Sequence, residues 1–253
     1  MLKKFMRSWL PFLLVLLLVP AALYLPDLWA LQCENKLLGS PKERPSMEGM
    51  LSEKAQDIPI LYTLYRNRYL DSRYETVFSD ISSKEGIWQL SNILMLLQDN
   101  DLLDIEFVDL CLQSIDTYPQ NSLASLSEGQ GIRGLSISLF INEACTINIS
   151  ANSYIETDQI LHFSVRCNQD PLPLDSFNSI PEGFLQRYCS YLGLDVLTDW
   201  KVPISSDPNI SAIWSEEGQV YLFYSLQNGF SFGAISFSPE DFRGIEFKEP
   251  DFK

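Results

Sequence analysis

The stretch LSISLFINEACTINISANSYIETDQILHFSVRC, residues 135–167, determines the fold class of this chain. Apolar residues alternate with polar ones in three successive runs, at 135–141, 145–149 and 161–167. Strict alternation is typical of a β-strand with one buried face and one face towards solvent. The polar residues between the second and third runs are a candidate turn. The stretch therefore predicts neighbouring antiparallel strands.

Helical patterns precede and follow these strands in the sequence. Apolar residues recur at three- and four-residue spacing within 57–72, 82–99 and 104–117, which predicts amphipathic helices. A serine-rich segment, 122–131, follows them and is predicted to be a loop. After the strands, a further helix is expected to begin near Pro181 and to end before a glycine.

The segment 211–238 is again typical of strands and contains two turn signals, Glu217-Gly218 and Asn228-Gly229. Asn-Gly between apolar runs is the strongest short-range signal for a hairpin. We therefore predict an α+β fold with two or three helices followed by an antiparallel sheet. The strands of that sheet form two groups of about three, separated by a helix.

The N-terminal segment is long and apolar enough to act as a membrane anchor. Residues 8–26 contain no charge, and this is about the length that spans the hydrocarbon core of a bilayer. Lys3, Lys4 and Arg7 precede the run, and the positive-inside rule places them in the cytoplasm. We therefore predict a transmembrane helix that contacts the membrane through residues 9–26, with the remaining chain outside the cytoplasm.

Two other outcomes for this segment remain open. Cleavage after Ala21, or after Ala30 where the site is poorer, would release a soluble secreted protein. Lipidation at Cys33 would require a small residue immediately before it, and Gln32 does not fit. The apolar run continues beyond Ala21, which favours an uncleaved signal anchor over residues 1–30.

These patterns divide the chain into an anchor, a spacer and one domain. Residues 1–30 form the signal anchor, and residues 31–56 are polar and contain prolines and glycines, as spacers do. Residues 57–253 form a single extracytoplasmic α+β domain at the cell membrane. Its helical part covers 57–117, and its sheet-rich part covers 132–247.

The composition of the chain restricts its partners. The chain has 33 acidic and 18 basic residues and a formal net charge of −15. Such a surface repels the phosphate backbone, so we expect no nucleic-acid partner. It is also repelled by anionic lipid head groups, so only the N-terminal segment is expected to touch the membrane.

The chain has five cysteines, and none of them has CxxC spacing. This argues against a zinc knuckle and against a thioredoxin-like redox site. With a turn centred on Glu156, Cys145 lies opposite Cys167, and facing residues bring their Cβ atoms to about 4.5–5.5 Å. In an oxidising compartment these two cysteines form a candidate disulfide. The alternative is a pair of buried thiols.

Aromatic residues of the last hairpin form the first candidate contact surface for a protein partner. With Asn228-Gly229 as a two-residue turn, one hairpin face carries four aromatic rings among serine and glutamine: Tyr221, Phe223, Phe230 and Phe232. Recognition surfaces often mix such residues. The alternative is that the helix beginning at Pro181 covers this face.

The second candidate contact surface is the helix predicted within 57–72. Its apolar face is rimmed by Tyr62, Tyr65 and Tyr69. Tyrosine combines a large apolar ring with a polar tip and is enriched at protein interfaces.

Motifs for catalysis are not recognisable in the sequence. The single histidine is His162, and the sequence has no G-x-S-x-G motif that would supply a nucleophilic serine for a catalytic triad. There is also no HExxH motif and no P-loop, so we predict no cofactor and no metal. The sequence therefore favours a membrane-anchored binding, accessory, sensory or assembly module without catalytic chemistry. One alternative is an extracytoplasmic hydrolase that uses paired carboxylates. Another is a secreted soluble binding protein.

Overall fold

The computed structural model describes residues 53–69, 77–117, 123–129, 131–141, 145–168, 179–204, 207–227, 229–237 and 246–248. The predicted anchor and most of the predicted spacer lie outside these residues. The last four residues of that spacer form a short helix, α1 (Glu53–Gln56). Within the described ranges, no helix is long and apolar enough to cross a membrane.

Four longer helices lie in segments whose periodicity predicts them. They are α2 (Pro59–Tyr69), α3 (Ser83–Asp99), α4 (Ile105–Thr117) and α5 (Phe184–Tyr191). The hydroxyl of Ser82 accepts a hydrogen bond from the backbone N–H of Glu85 at 3.2 Å and caps the start of α3. Gly193, with φ +71°, follows α5 as a helix-ending glycine does.

The strands form one large antiparallel sheet and one small sheet. The strands are β1 (Val77–Asp80), β2 (Leu123–Gly129), β3 (Ile132–Phe140), β4 (Thr146–Tyr154), β5 (Ile160–Cys167), β6 (Val202–Pro203), β7 (Ile210–Ser215), β8 (Val220–Ser225), β9 (Phe230–Ser236) and β10 (Phe247–Lys248). The eight-stranded sheet has the order β1-β2-β3-β4-β5-β9-β8-β7, and the small sheet pairs β10 with β6. The fold class is therefore α+β.

Strand β2 corrects the prediction of a serine-rich loop at 122–131. Its apolar residues Ala124 and Leu126 pair with Ile137 and Leu135 of β3. The serines of β2 alternate with these apolar residues and point to the other face of the sheet. Serine is a weak strand former, so pairing with β3 decides the conformation of this segment.

Helices α3, α4 and α5 pack on one face of the large sheet, which we call the inner face. Leu135, Ile137 and Leu139 lie on this face of β3 and are almost fully buried. Helix α3 approaches the sheet very closely at Gly86, because a Cβ atom there would overlap the Cβ of Ala124. The hydrophobic core therefore lies between the helices and the inner face. The opposite side of the sheet is the outer face.

Candidate functional site

The C-terminal hairpin pairs its strands one residue away from the predicted register. Ser225 pairs with Ser231, and Phe223 pairs with Gly233. The two-residue turn would instead have paired Ser225 with Phe232. Because neighbouring residues of a strand point to opposite faces, this shift moves the side chains of β9 to the other side. The prediction that four aromatic rings share one face is therefore wrong.

Phe230 and Phe232 lie in the core and are 1% and 0% exposed. The ring of Phe184 on α5 packs against Phe232 with 5.0 Å between centroids, and the ring of Tyr188 lies 5.2 Å away. A covering helix was the alternative for this face, and it holds for these two rings. They are not available to a partner.

Tyr221 and Phe223 lie on the outer face and are half-buried. They belong to a row of four neighbouring aromatic side chains, which we call the aromatic row: Phe237 just after β9, Tyr221 and Phe223 on β8, and His162 on β5. Successive centroids are 5.4, 6.2 and 6.1 Å apart. The guanidinium carbon of Arg68, on α2, lies 5.7 Å from the centroid of Phe237 at one end of the row.

The tyrosines of α2 do not form a common surface in the described residues. Tyr65 is only 6% exposed and lies with Leu61 and Leu64 against the core, so its prediction as a contact residue is wrong. Tyr62 is 47% exposed and remains available to a partner. The side chain of Tyr69 lies outside the described residues.

Six serines form a single row across the outer face, which we call the serine row. Each is the register partner of the next on six adjacent strands: Ser125, Ser136, Ser150, Ser164, Ser231 and Ser225. Strands lie about 4.8 Å apart, so the row is about 24 Å long. The hydroxyl oxygens of Ser150 and Ser136 are 3.5 Å apart. Ser125 and Ser136 are exposed, and the other four are half-buried.

The register line next to the serine row also contains no Asp, Glu, Lys or Arg. It runs through Gly134, Asn152, His162 and Gly233 to Phe223. Position 233 has no room for a side chain larger than that of glycine, because a Cβ there would lie 2.9 Å from the ring of His162 and 3.1 Å from that of Phe223. The aromatic row therefore adjoins the serine row at strands β5, β9 and β8.

The outer face of these six strands carries almost no charged side chains. Among the described residues of the six strands, Arg166 is the one charged side chain whose position in the alternation puts it on the outer face. Burial lowers the pKa of His162, and the nearby Arg166 guanidinium lowers it further, so the imidazole is held neutral. An uncharged field of hydroxyl, amide and aromatic groups can bind through hydrogen bonds and ring contacts.

The hairpin of β4 and β5 differs from its predicted register by two residues. Ile147 pairs with Cys167 and Ile149 with Val165, and a bulge lies between Asn152 and Ser153. A shift of two residues keeps every side chain on its predicted face. Cys145 is therefore diagonal to Cys167 instead of opposite to it.

The two sulfur atoms are nevertheless close, with Sγ of Cys145 3.3 Å from Sγ of Cys167. Burial, together with the hydrogen bond and the charge interaction with Cys167, raises the pKa of Cys145 to about 11. The geometry supports the predicted disulfide, which remains a prediction.

Within the described ranges, no three His, Cys, Asp or Glu side chains lie close enough together to hold a metal ion.

The comparisons with known proteins add no analogy: no protein-family model, no curated protein and no solved structure matches the chain. The outer face is thus the candidate site on its own geometry.

Proposed function

We propose that this protein is a membrane-anchored extracytoplasmic binding module that holds a protein partner on the outer face of its sheet. The observation that carries the proposal is the serine row beside the aromatic row. Residues 9–26 would anchor the chain, and the domain would present this face outside the cytoplasm, in an accessory, sensory or assembly role without catalysis.

The short side chains of the outer face favour a second protein layer over a small ligand. Serine, glycine and asparagine project little from the strands, so another layer can approach along the whole row. Ordering a serine side chain also costs little conformational entropy. The half-buried rings of Tyr221 and Phe223 would then act as the apolar anchors of the interface.

The charge distribution supports the same proposal. The protein carries a net charge of −15, and like charges at an interface oppose association. The outer face avoids this cost because its central strands carry no carboxylate in the described residues. A partner can dock there without desolvating acidic groups.

Site-specific photocrosslinking in the native membrane tests the partner. Full-length protein with a benzophenone amino acid at Phe223 should give one adduct of discrete mass. Ser150→Arg should abolish the adduct, because it places a bulky charge in the serine row. Gln113→Arg, at an exposed site on α4, adds the same charge elsewhere and should retain it.

Three results would contradict this proposal. The adduct could be missing, or it could persist unchanged in the Ser150→Arg protein. An adduct of two copies of this chain would replace the separate partner by self-association.

The anchor is tested separately, by the intact mass of the protein from a membrane fraction. We expect a species that retains residues 1–30. A species that begins at Ala22 or Leu31 would show a cleaved signal, and the binding module would then be secreted and soluble.

A further inference from the structure

A pocket of about 400 Å³ opens on the inner side of the sheet, beside α3. It is separate from the serine row, which lies on the outer face. One wall is a helical stripe with i, i+3, i+4 spacing that includes Trp88, Asn92 and Leu96. The other wall comes from β2 to β5 and the turn that joins β4 to β5. The volume of the pocket falls in the range of small-molecule sites, about 300–1,000 Å³.

Apolar groups line the walls of this pocket. Ile93 and Leu96 from α3 face Leu126 of β2 and Ile160 of β5 across it. The indole of Trp88 is 65% exposed, although it is among the largest apolar side chains of the chain. An exposed indole beside an apolar pocket can cover one side of a bound ligand.

Carboxylates outnumber cations in the lining. Arg133 is the one basic residue there, against Glu85, Glu128 and Asp158. The guanidinium already has partners, since its Nε lies 2.7 Å from Glu128 and its Nη1 lies 3.5 Å from Asp158. Glu85 and the remaining carboxylate oxygens are left to meet a ligand. The pocket is therefore a negative site in a protein of net charge −15, which concentrates cations near its surface.

We infer that this pocket binds a small organic cation with an apolar body, such as an aryl-alkyl ammonium. The apolar body lies between the indole of Trp88 and the Ile93–Leu126 side of the pocket. The ammonium lies towards Glu85 and Asp158, and the face of the indole contributes a cation–π interaction. This site does not depend on the proposed partner surface.

Calorimetric titration of the full-length protein with three matched probes tests the inference. They are 2-phenylethylammonium, neutral 2-phenylethanol and anionic 3-phenylpropanoate. We expect saturable binding of the cation, at least tenfold tighter than either of the others. Trp88→Ala should weaken cation binding at least tenfold, and Glu85→Gln with Asp158→Asn should weaken the cation but not the alcohol.

Met95→Ala is the matched control, because Met95 is also an exposed apolar residue of α3 and does not line the pocket. It should leave the affinity unchanged. Equal affinity for the three probes would overturn the charge argument. Binding that Trp88→Ala leaves intact would place the ligand elsewhere and overturn the site.

Discussion

The hydroxyl of Tyr188 donates to two successive backbone carbonyls of β5, those of Ile160 at 3.0 Å and Leu161 at 2.8 Å. Its side chain is 0% exposed. In the next turn of α5, the hydroxyl of Tyr191 accepts from the backbone N–H of Ile160 at 2.7 Å. Two tyrosines therefore tie α5 to the start of β5, over the same inner-face rings that the helix covers.

Removing the Tyr188 hydroxyl should destabilise the domain. Tyr188→Phe keeps the ring but leaves the two carbonyls without this donor in a buried site, at a cost of about 1–3 kcal/mol. Urea unfolding would measure the loss. Tyr62→Phe, at an exposed position of α2, should change the free energy of unfolding by less than about 0.5 kcal/mol. Equal effects of the two changes would contradict the role of the buried hydroxyl.

The two faces of the C-terminal hairpin should respond differently to truncation. Phe232→Ala removes a fully buried ring that packs on Phe163, Phe184 and Tyr188, and should cost about 3–5 kcal/mol. Phe223→Ala, on the outer face, should cost less than half as much. The free energies of unfolding of the two variants decide this, and similar losses would favour the register that the sequence predicted.

Sequence patterns predicted the elements of this fold better than their pairing. Alternation in 135–167 identified the faces of β3, β4 and β5, and these faces survive a register shift of two residues. In the C-terminal hairpin a shift of one residue exchanged the faces of β9. The connection from Leu226 to Phe230 is longer than a two-residue Asn-Gly turn, and such loop lengths follow from tertiary packing. At Gly229, with φ +116°, a Cβ would collide with the carbonyl oxygen of Val165.

The serine row could not be predicted from the sequence alone. Its members become neighbours only when the register of six strands is known, including the pairing of Ser164 with Ser231 across the non-local contact of β5 with β9. Strand β2, which begins the row, was itself predicted as a loop. Alternating serines in 123–129 and 132–140 were the available signal. They show a polar strand face but not its alignment.

Acidification should weaken folding through His162, the single histidine of the chain. Burial and Arg166 lower its pKa below the ordinary value of 6.5. Below pH 6.5 the unfolded chain therefore binds this proton before the folded one does, and the free energy of unfolding falls until the folded pKa is reached. The imidazole lies among Asn152, Gly233 and Phe223, which carry no charge.

Urea unfolding between pH 8 and pH 5 would measure this contribution. His162→Gln should show a smaller loss of stability over that range than the original protein. Arg166→Gln should raise the pKa of His162, which NMR titration of the one imidazole would follow. An unchanged pH dependence in His162→Gln would contradict the prediction.

Oxidation should join Cys145 to Cys167 and stabilise the domain. Their Sγ atoms are 3.3 Å apart, and a small movement brings them to the bond distance of about 2.05 Å. Two thiols lose two protons and two electrons to an added oxidant such as diamide. The bond closes a loop between residues 22 positions apart, which is worth about 3 kcal/mol by chain entropy. Alkylation in urea after removal of the oxidant, followed by intact mass, should show two fewer modified thiols in the oxidised protein, together with a higher melting temperature. Cys145→Ser should show neither change, whereas Cys189→Ser should show both. If both thiols remain alkylatable after oxidation, the two cysteines are a buried thiol pair.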